Sequence, residues 1–136
     1  MKAFISSAIV AATLAACGGG GGGSTGTPAS ACTYATVSEP TPIQINGNSG
    51  VQTISDTSKK LSIIVTGNQN TITLGQCVYV ESLTFSGDMN TLSGHSTSRI
   101  QAVRFEINSA MNTVTTTAAS NTTVTDFGNL NVVNRN

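Results

Sequence analysis

The sequence predicts an all-β fold, a short parallel β-helix or β-solenoid of about five coils of about 20 residues each. The first observation is a turn motif that recurs at nearly constant spacing. It is complete in Gly67–Leu74, and variants of it begin at Gly47, Gly87, Ser109 and, more weakly, Gly128. The starts are separated by 20, 20, 22 and 19 residues. A fixed period of this length is the signature of a stacked repeat.

The second observation is that apolar and polar residues alternate on both sides of each turn. The residues four and two positions before the turn are the pairs Ile43/Ile45, Ile63/Val65, Leu83/Phe85, Phe105/Ile107 and the half-broken Val124/Asp126. Five positions after the start stand Gln52, Ile72, Leu92, Val114 and Val133. Alternation with a period of two is typical of half-buried strands. Each coil is therefore expected to contain two short strands joined by a Gly-Asn turn, in which glycine and asparagine tolerate positive φ.

Stacking explains how coils this short can form a core. One coil cannot bury its apolar face alone, whereas coils stacked about 4.8 Å apart form ladders of inward aliphatic side chains. Stacking also aligns Asn70, Asn90 and Asn112, whose amides are expected to hydrogen-bond along the column. The alternative is an antiparallel β-sandwich, because about 20 residues also accommodate one hairpin. The equal spacing and the repeated turn chemistry favour the solenoid.

The N-terminal segment predicts export. Lys2 precedes Ala3–Ala16, an apolar stretch that is too short to cross roughly 30 Å of hydrocarbon as a helix and is typical of a signal peptide. The stretch ends in Leu14-Ala15-Ala16-Cys17, which resembles the lipobox of bacterial lipoproteins. The resemblance implies that residues 1–16 are removed and that Cys17 carries lipid. It also implies an anchor in the cell membrane, the outer one if the source has two membranes.

Composition and cysteine count divide the rest of the chain. Residues 17–31 are rich in glycine, serine and threonine and are expected to form a flexible tether, which leaves residues 32–136 for the domain. With Cys17 lipidated, Cys32 and Cys77 form an even pair in an oxidising compartment, and a disulfide is expected. Regular rungs would hold them roughly 10 Å apart, too far for a disulfide. Residues 32–42 are therefore expected to leave the regular path and to cap the N-terminal edge.

At the repeats the chain resembles domain-of-unknown-function family 3060, which consists of small exported bacterial proteins, many of them lipoproteins. These proteins contain repeated Gly-Asn-x-Asn-Thr-Val/Ile runs, and Gly67–Leu74 and Gly87–Ser93 carry the match. The resemblance covers residues 43–133. Because the family has no assigned activity, the resemblance implies only fold and export.

The composition argues against an enzyme and against a nucleic-acid partner. Six basic residues balance six acidic ones, so there is no basic footprint for nucleic acid. His95 is the only imidazole, and no Gly-x-Ser-x-Gly elbow accompanies it. The carboxylates are scattered along the repeats. The sequence therefore predicts no catalytic residue, no metal site and no cofactor.

Two columns of hydroxyl groups are expected on the outside of the stacked coils. They consist of Thr71, Thr73, Thr91, Ser93, Thr113 and Thr115. Threonine is a common exposed strand residue, yet such a face can also hold an envelope protein or a glycan. The sequence thus predicts an exported, lipid-anchored, non-enzymatic structural or interaction module of the bacterial envelope. The alternatives are a curli-like fibre subunit, a glycan- or ice-binding solenoid and a small polysaccharide-active β-helix enzyme. Open strand edges also allow edge-to-edge self-association.

Overall fold

The computed structural model describes residues 31–34, 39–117 and 121–136, and it confirms the predicted β-solenoid. The strands are β1 Thr41–Ile45, β2 Val51–Ile54, β3 Lys60–Val65, β4 Thr71–Leu74, β5 Tyr79–Phe85, β6 Thr91–Gly94, β7 Arg99–Phe105, β8 Thr113–Thr116, β9 Thr123–Asp126 and β10 Val132–Arg135. Every pairing between these strands is parallel, so the β-sandwich alternative is wrong. The described residues contain no helix long and apolar enough to cross a membrane.

Each coil contributes one strand to each of two parallel sheets. The odd sheet has the order β1-β3-β5-β7-β9, and the even sheet has the order β10-β8-β6-β4-β2. Strands that are neighbours in a sheet are therefore one coil apart in the chain. Stacked coils of two strands require this order. The outer faces of the two sheets therefore lie on opposite sides of the core.

Apolar side chains from both sheets fill the space between them. In the odd sheet, Ile45, Val65, Phe85 and Phe105 pair in register on successive strands, and all four are buried. The rings of Phe85 and Phe105 stack with their centroids 5.5 Å apart. From the even sheet, the buried partners are Ile72, Leu92 and Val114. The predicted inward ladders are thus present in both sheets.

In the fourth coil, the inward side chains are not the pair that the sequence predicted. The inward pair there is Val103/Phe105, which is buried and in register with the pair of the coil before, and not Phe105/Ile107. Ile107 is 76% exposed. The extra residues of the 22-residue spacing lie after β7, in a turn where the Ser109 N–H donates to the Glu106 carbonyl at 2.9 Å. A shift of two residues keeps the period-2 alternation intact, so the pattern alone could not locate the insertion.

The predicted disulfide between Cys32 and Cys77 is present. The Sγ atoms are 2.08 Å apart and the Cα atoms 5.2 Å apart. Cys77 lies in the turn between β4 and β5. The Tyr34 hydroxyl donates to the carbonyl of Thr97 at 2.8 Å, one coil further on. Residues 31–34 therefore lie along the side of the second and third coils, and the expected cap over the N-terminal edge stays a prediction.

The segment between the disulfide and the first coil ends two residues earlier than predicted. Strand β1 begins at Thr41, so residues 41 and 42 belong to the solenoid and not to the expected cap at 32–42. Residues 35–38 of that cap lie outside the described residues. The predicted signal at 1–16 and the tether up to residue 30, including Cys17, lie outside them as well.

Removal of the disulfide is expected to lower the free energy of unfolding by about 4 kcal/mol, because a closed loop of this length restricts the unfolded chain. The two cysteines are 45 residues apart in sequence. Urea unfolding of Cys32→Ser/Cys77→Ser, followed by circular dichroism, measures the loss. Dithiothreitol should destabilise the wild type to the same extent and leave the double variant unchanged. Equal stability of oxidised and reduced wild type would contradict the expectation.

Candidate functional site

The predicted hydroxyl columns stand on the outer face of the even sheet. One column pairs Thr71, Thr91 and Thr113, and the other pairs Thr73, Ser93 and Thr115, on β4, β6 and β8. The side chains of β4 and β6 are exposed and those of β8 half-buried. We call these six residues the hydroxyl face. It presents donors and acceptors in a grid whose rungs are about 4.8 Å apart.

The hydroxyl face is bounded along the first column by two valines. Val51 pairs with Thr71 on β2, and Val132 pairs with Thr113 on β10. Both valines are exposed, Val51 to 79% and Val132 to 47%. The column is therefore three hydroxyls long.

In the turns that precede the strands of the even sheet, the residue with a left-handed backbone is not the one that was predicted. Positive φ occurs at the third turn position and not at the glycine or the asparagine. The residues are Ser49, Gln69, Met89, Met111 and Leu130, with φ between 55 and 59°. No described glycine has positive φ. The expected reason for glycine in the turn is therefore wrong.

Close contact between coils accounts for the glycines. A Cβ on Gly67 would lie 1.8 Å from the carbonyl oxygen of Gly47, and one on Gly87 would lie 2.1 Å from that of Gly67. At Gly128 the corresponding distance, to the carbonyl oxygen of Ser109, is 2.2 Å. Gly47, in the first coil, has no such neighbour within 4 Å. Glycine is thus required at these three turns, where a Cβ would meet the backbone of the coil before. Ser109 occupies the same motif position in the fourth coil, after the two-residue insertion.

The predicted asparagine column is confirmed, and each internal member makes four hydrogen bonds. The Asn90 Oδ1 accepts from the backbone N–H of Asn70 at 2.9 Å and from its Nδ2 at 3.0 Å. The Asn90 Nδ2 donates to the Gly67 carbonyl at 2.9 Å and to the Asn112 Oδ1 at 3.0 Å. All the polar positions of this buried amide are satisfied. Asn131 extends the column by accepting from Asn112.

We call Asn70, Asn90, Asn112 and Asn131 the asparagine ladder. Asn131 was not among the predicted members because the fifth repeat is blurred, although it occupies the same motif position. Each of the first three members directly precedes a residue of the hydroxyl face, namely Thr71, Thr91 and Thr113. The ladder therefore fixes the register at which the hydroxyl columns begin.

A second, more exposed ladder runs beside the first. The side chains of Asn48, Asn68 and Asp88 each accept the backbone N–H of the corresponding residue in the next coil, at 2.8, 2.7 and 2.7 Å. Side-chain acceptors thus tie successive turns together at two positions.

The ionisable residues of the described chain are dispersed. The His95 Nδ1 accepts the backbone N–H of Thr97 at 3.1 Å and contacts its Oγ1 at 2.9 Å, so its interactions are local to the turn. Among the described residues, no three His, Cys, Asp or Glu side chains are grouped to hold a metal ion. His95 has no carboxylate hydrogen-bonded to it within the described part of the chain, which a Ser-His-Asp arrangement would need.

A small aromatic cluster lies on the odd sheet, away from the hydroxyl face. The Tyr79 ring stands between Lys60 and Arg99, whose charged groups lie 5.9 Å and 5.6 Å from its centroid. Tyr34 meets it edge-on at 5.7 Å. Lys60 also forms an ion pair with Glu81 at 3.0 Å. These contacts link residue 34 to the solenoid and are structural.

Two exposed carboxylates have perturbed pKa values with local causes. The hydrogen bond from Arg104 lowers the pKa of Glu106, and the same bond raises the pKa of Arg104. The hydroxyl and then the backbone N–H of Ser58 lower the pKa of Asp56. All three groups are open to solvent, so screening limits their effect on stability.

The hydroxyl face is the candidate site that these residues support best. It can donate and accept hydrogen bonds at regular intervals, and the strands that carry it are held by two ladders of side-chain hydrogen bonds. It contains no nucleophile paired with a base. Comparison of the chain with protein-family models, with curated proteins and with solved structures finds no match.

Proposed function

We propose that the protein is an exported, lipid-anchored β-solenoid that serves as a structural or interaction module of the bacterial envelope and does not catalyse a reaction. The observation that carries the proposal is the hydroxyl face, six hydroxyl residues in register on three strands. Such a face offers many weak hydrogen bonds and no reactive group. The chemistry suits recognition of a partner surface.

The disulfide supports the export part of the proposal. Disulfides persist in oxidising compartments and are rare in the cytosol. The Cys32–Cys77 bond attaches the N-terminal end of the domain to the second coil. Cys17 lies 15 residues before Cys32, and we propose that the glycine-rich sequence between them links the lipid anchor to the solenoid.

The lipid anchor is tested by labelling cells with radioactive or alkynyl palmitate. We expect the wild-type chain to take up the label and Cys17→Ser to lose it. Cys32→Ser is the matched control and should keep the label, because its cysteine is not the acyl acceptor. Equal labelling of wild type and Cys17→Ser would exclude lipidation at residue 17.

The interaction face is tested by photo-crosslinking in the native cell. A photoreactive amino acid is placed at Thr71, Thr91 or Thr113, and at Gln44 as a control. Gln44 is exposed on the odd sheet. We expect discrete adducts from the hydroxyl face that are absent at Gln44. No adduct from the three positions, or the same adducts from Gln44, would count against a partner face.

The geometry favours a protein partner over the other occupants considered. Aromatic platforms are common in sugar sites, and the strands of the even sheet contain no aromatic residue. The first column is short for an ice-binding surface, because Val51 and Val132 bound it. Thermal hysteresis of the purified protein, or retention on a glycan array, would favour those alternatives instead.

A further inference from the structure

The asparagine ladder ends in a different way at each extremity of the solenoid. In the first coil the ladder position is occupied by Gly50, whose backbone N–H donates to the Asn70 Oδ1 at 2.9 Å. Gly50 has no amide side chain, so it offers no side-chain acceptor to a rung placed before it. In the last described coil, the Asn131 Nδ2 donates to the Asp126 Oδ1 at 3.0 Å. Asp126 thus occupies the place that the Oδ1 of a following asparagine would take.

Asp126 also interrupts the apolar column of the odd sheet. It pairs with Phe105, at the position filled by Phe85 and Val65 in earlier coils. Its carboxylate turns to the ladder and accepts the Gly128 N–H at 2.8 Å as well. A charge at an inward position of an edge strand is a known device against edge-to-edge pairing. A coil stacked on this edge would bury the carboxylate against apolar side chains, which is unfavourable.

Stacking of a second copy end to end would place Asn131 of one copy against Gly50 of the next. In every internal junction, the backbone N–H and Nδ2 of one ladder residue donate to the Oδ1 of the next. At the junction between copies this acceptor is missing. The backbone N–H and the Nδ2 of Asn131 would then give up water or Asp126 as their acceptor and gain no acceptor in exchange. Burying donors without acceptors is costly.

We propose that Gly50 and Asp126 terminate the asparagine ladder and thereby keep copies of the chain from stacking end to end. The solenoid is then a finite module, and the fibre-forming alternative requires both terminators to be removed. This inference stands apart from the proposed partner face, because it concerns the two edges and not the outer face of the even sheet.

The test restores the ladder at both ends of the full chain in detergent. Gly50→Asn supplies the missing acceptor, and Asp126→Val restores the apolar column with the residue type of Val65. Stacking is read by Val51→Cys/Val132→Cys, because an in-register junction would make these strand neighbours about 4.8 Å apart, within reach of a disulfide. We expect at least about a tenfold rise in cross-linked oligomers over the cysteine pair in the unmodified background, since each junction regains hydrogen bonds.

Control variants separate specific stacking from general stickiness. Asp126→Val alone adds the same apolar surface without the acceptor and should stay mostly monomeric. The pair Gln44→Cys/Val132→Cys lies on different sheets and should not cross-link in register. A Cβ at position 50 would lie 3.0 Å from the Asn70 Oδ1, a close contact that requires the Asn70 side chain to shift by a few tenths of an ångström, and φ there is not positive.

The proposal has two outcomes that overturn it. Efficient 51–132 cross-linking in the unmodified background would show that the terminators do not prevent stacking. Monomers of the doubly restored variant, with the Cys32–Cys77 disulfide and the strand signal intact, would show that they are not what prevents it. If Asp126→Val fails to fold, Gly50→Asn/Asp126→Asn keeps the local acceptor and removes the charge. The same rise in cross-linking is expected there, and its absence overturns the proposal equally.

Discussion

Asn90→Ala is expected to lower the free energy of unfolding by about 3–4 kcal/mol, because it leaves buried polar groups without partners. Asn90 is fully buried and satisfies the backbone N–H of Asn70 and the carbonyl of Gly67. Alanine removes both contacts and leaves a cavity too enclosed for ready hydration. Urea unfolding followed by circular dichroism, with the disulfide intact, measures the difference.

Asn68→Ala is the matched control for this prediction. Asn68 lies in the same turn type, two residues before a ladder position, and its Oδ1 accepts the Asp88 N–H at 2.7 Å. Because it is exposed, water can replace the lost bond, and we expect a cost of about 1 kcal/mol or less. Similar losses for Asn68→Ala and Asn90→Ala would mean that the buried ladder has no special role in stability.

The sequence predicts those parts of the fold that arise from periodicity. A near-constant spacing places equivalent residues on top of each other, so the parallel coils, the inward ladders and the aligned Asn70, Asn90 and Asn112 all follow from counting. The pairing of Cys32 with Cys77 follows from parity and compartment. Each of these inferences needs only the position of a residue along the chain and not its detailed environment.

Features that depend on three-dimensional contact were not predictable in the same way. The left-handed turn position holds Ser49, Gln69, Met89, Met111 and Leu130, and no shared side-chain property identifies them. The glycines have a steric role that appears only when one coil rests on another. The 22-residue spacing reveals an insertion, but the inserted residues after β7 preserve the alternation, so the pattern does not show where they lie. Asp126, in the fifth inward pair, looks like a break in the repeat when only the sequence is considered. Its hydrogen bond to Asn131, at the end of the ladder, is visible only in the structure.

The candidate site shows the same division. The register of Thr71, Thr91 and Thr113 follows from spacing, and the structure places them as expected. The identity of a partner does not follow, because threonine on an exposed strand is also favoured by backbone preference alone. What the structure adds is the bonded ladder at the residues directly before Thr71, Thr91 and Thr113, which fixes the start of each strand of the face. A preorganised surface loses less conformational entropy on binding, and this is consistent with a recognition role.

Gly67→Ala is expected to destabilise the protein by at least about 3 kcal/mol, through overpacking against backbone that cannot move aside. The added Cβ would lie 1.8 Å from the Gly47 carbonyl oxygen and 2.7 Å from its carbon. The first coil would have to lift from the second, which would stretch the bond from the Ser49 N–H to the Asn68 carbonyl. Urea unfolding measures the loss, and faster amide exchange in β1 and β2 would locate it.

Gly47→Ala isolates the steric cause, because Gly47 occupies the same motif position one coil earlier and a Cβ added there would meet no atom within 4 Å. Neither glycine has positive φ, so alanine introduces no backbone strain at either site. We expect Gly47→Ala to be neutral or to stabilise by up to about 1 kcal/mol, since alanine reduces the freedom of the unfolded chain. Equal effects at the two positions would mean that glycine is required by the turn itself. A large difference between them would assign the requirement to the contact between coils. Because this contact recurs from coil to coil, it would also explain why the motif recurs along the chain.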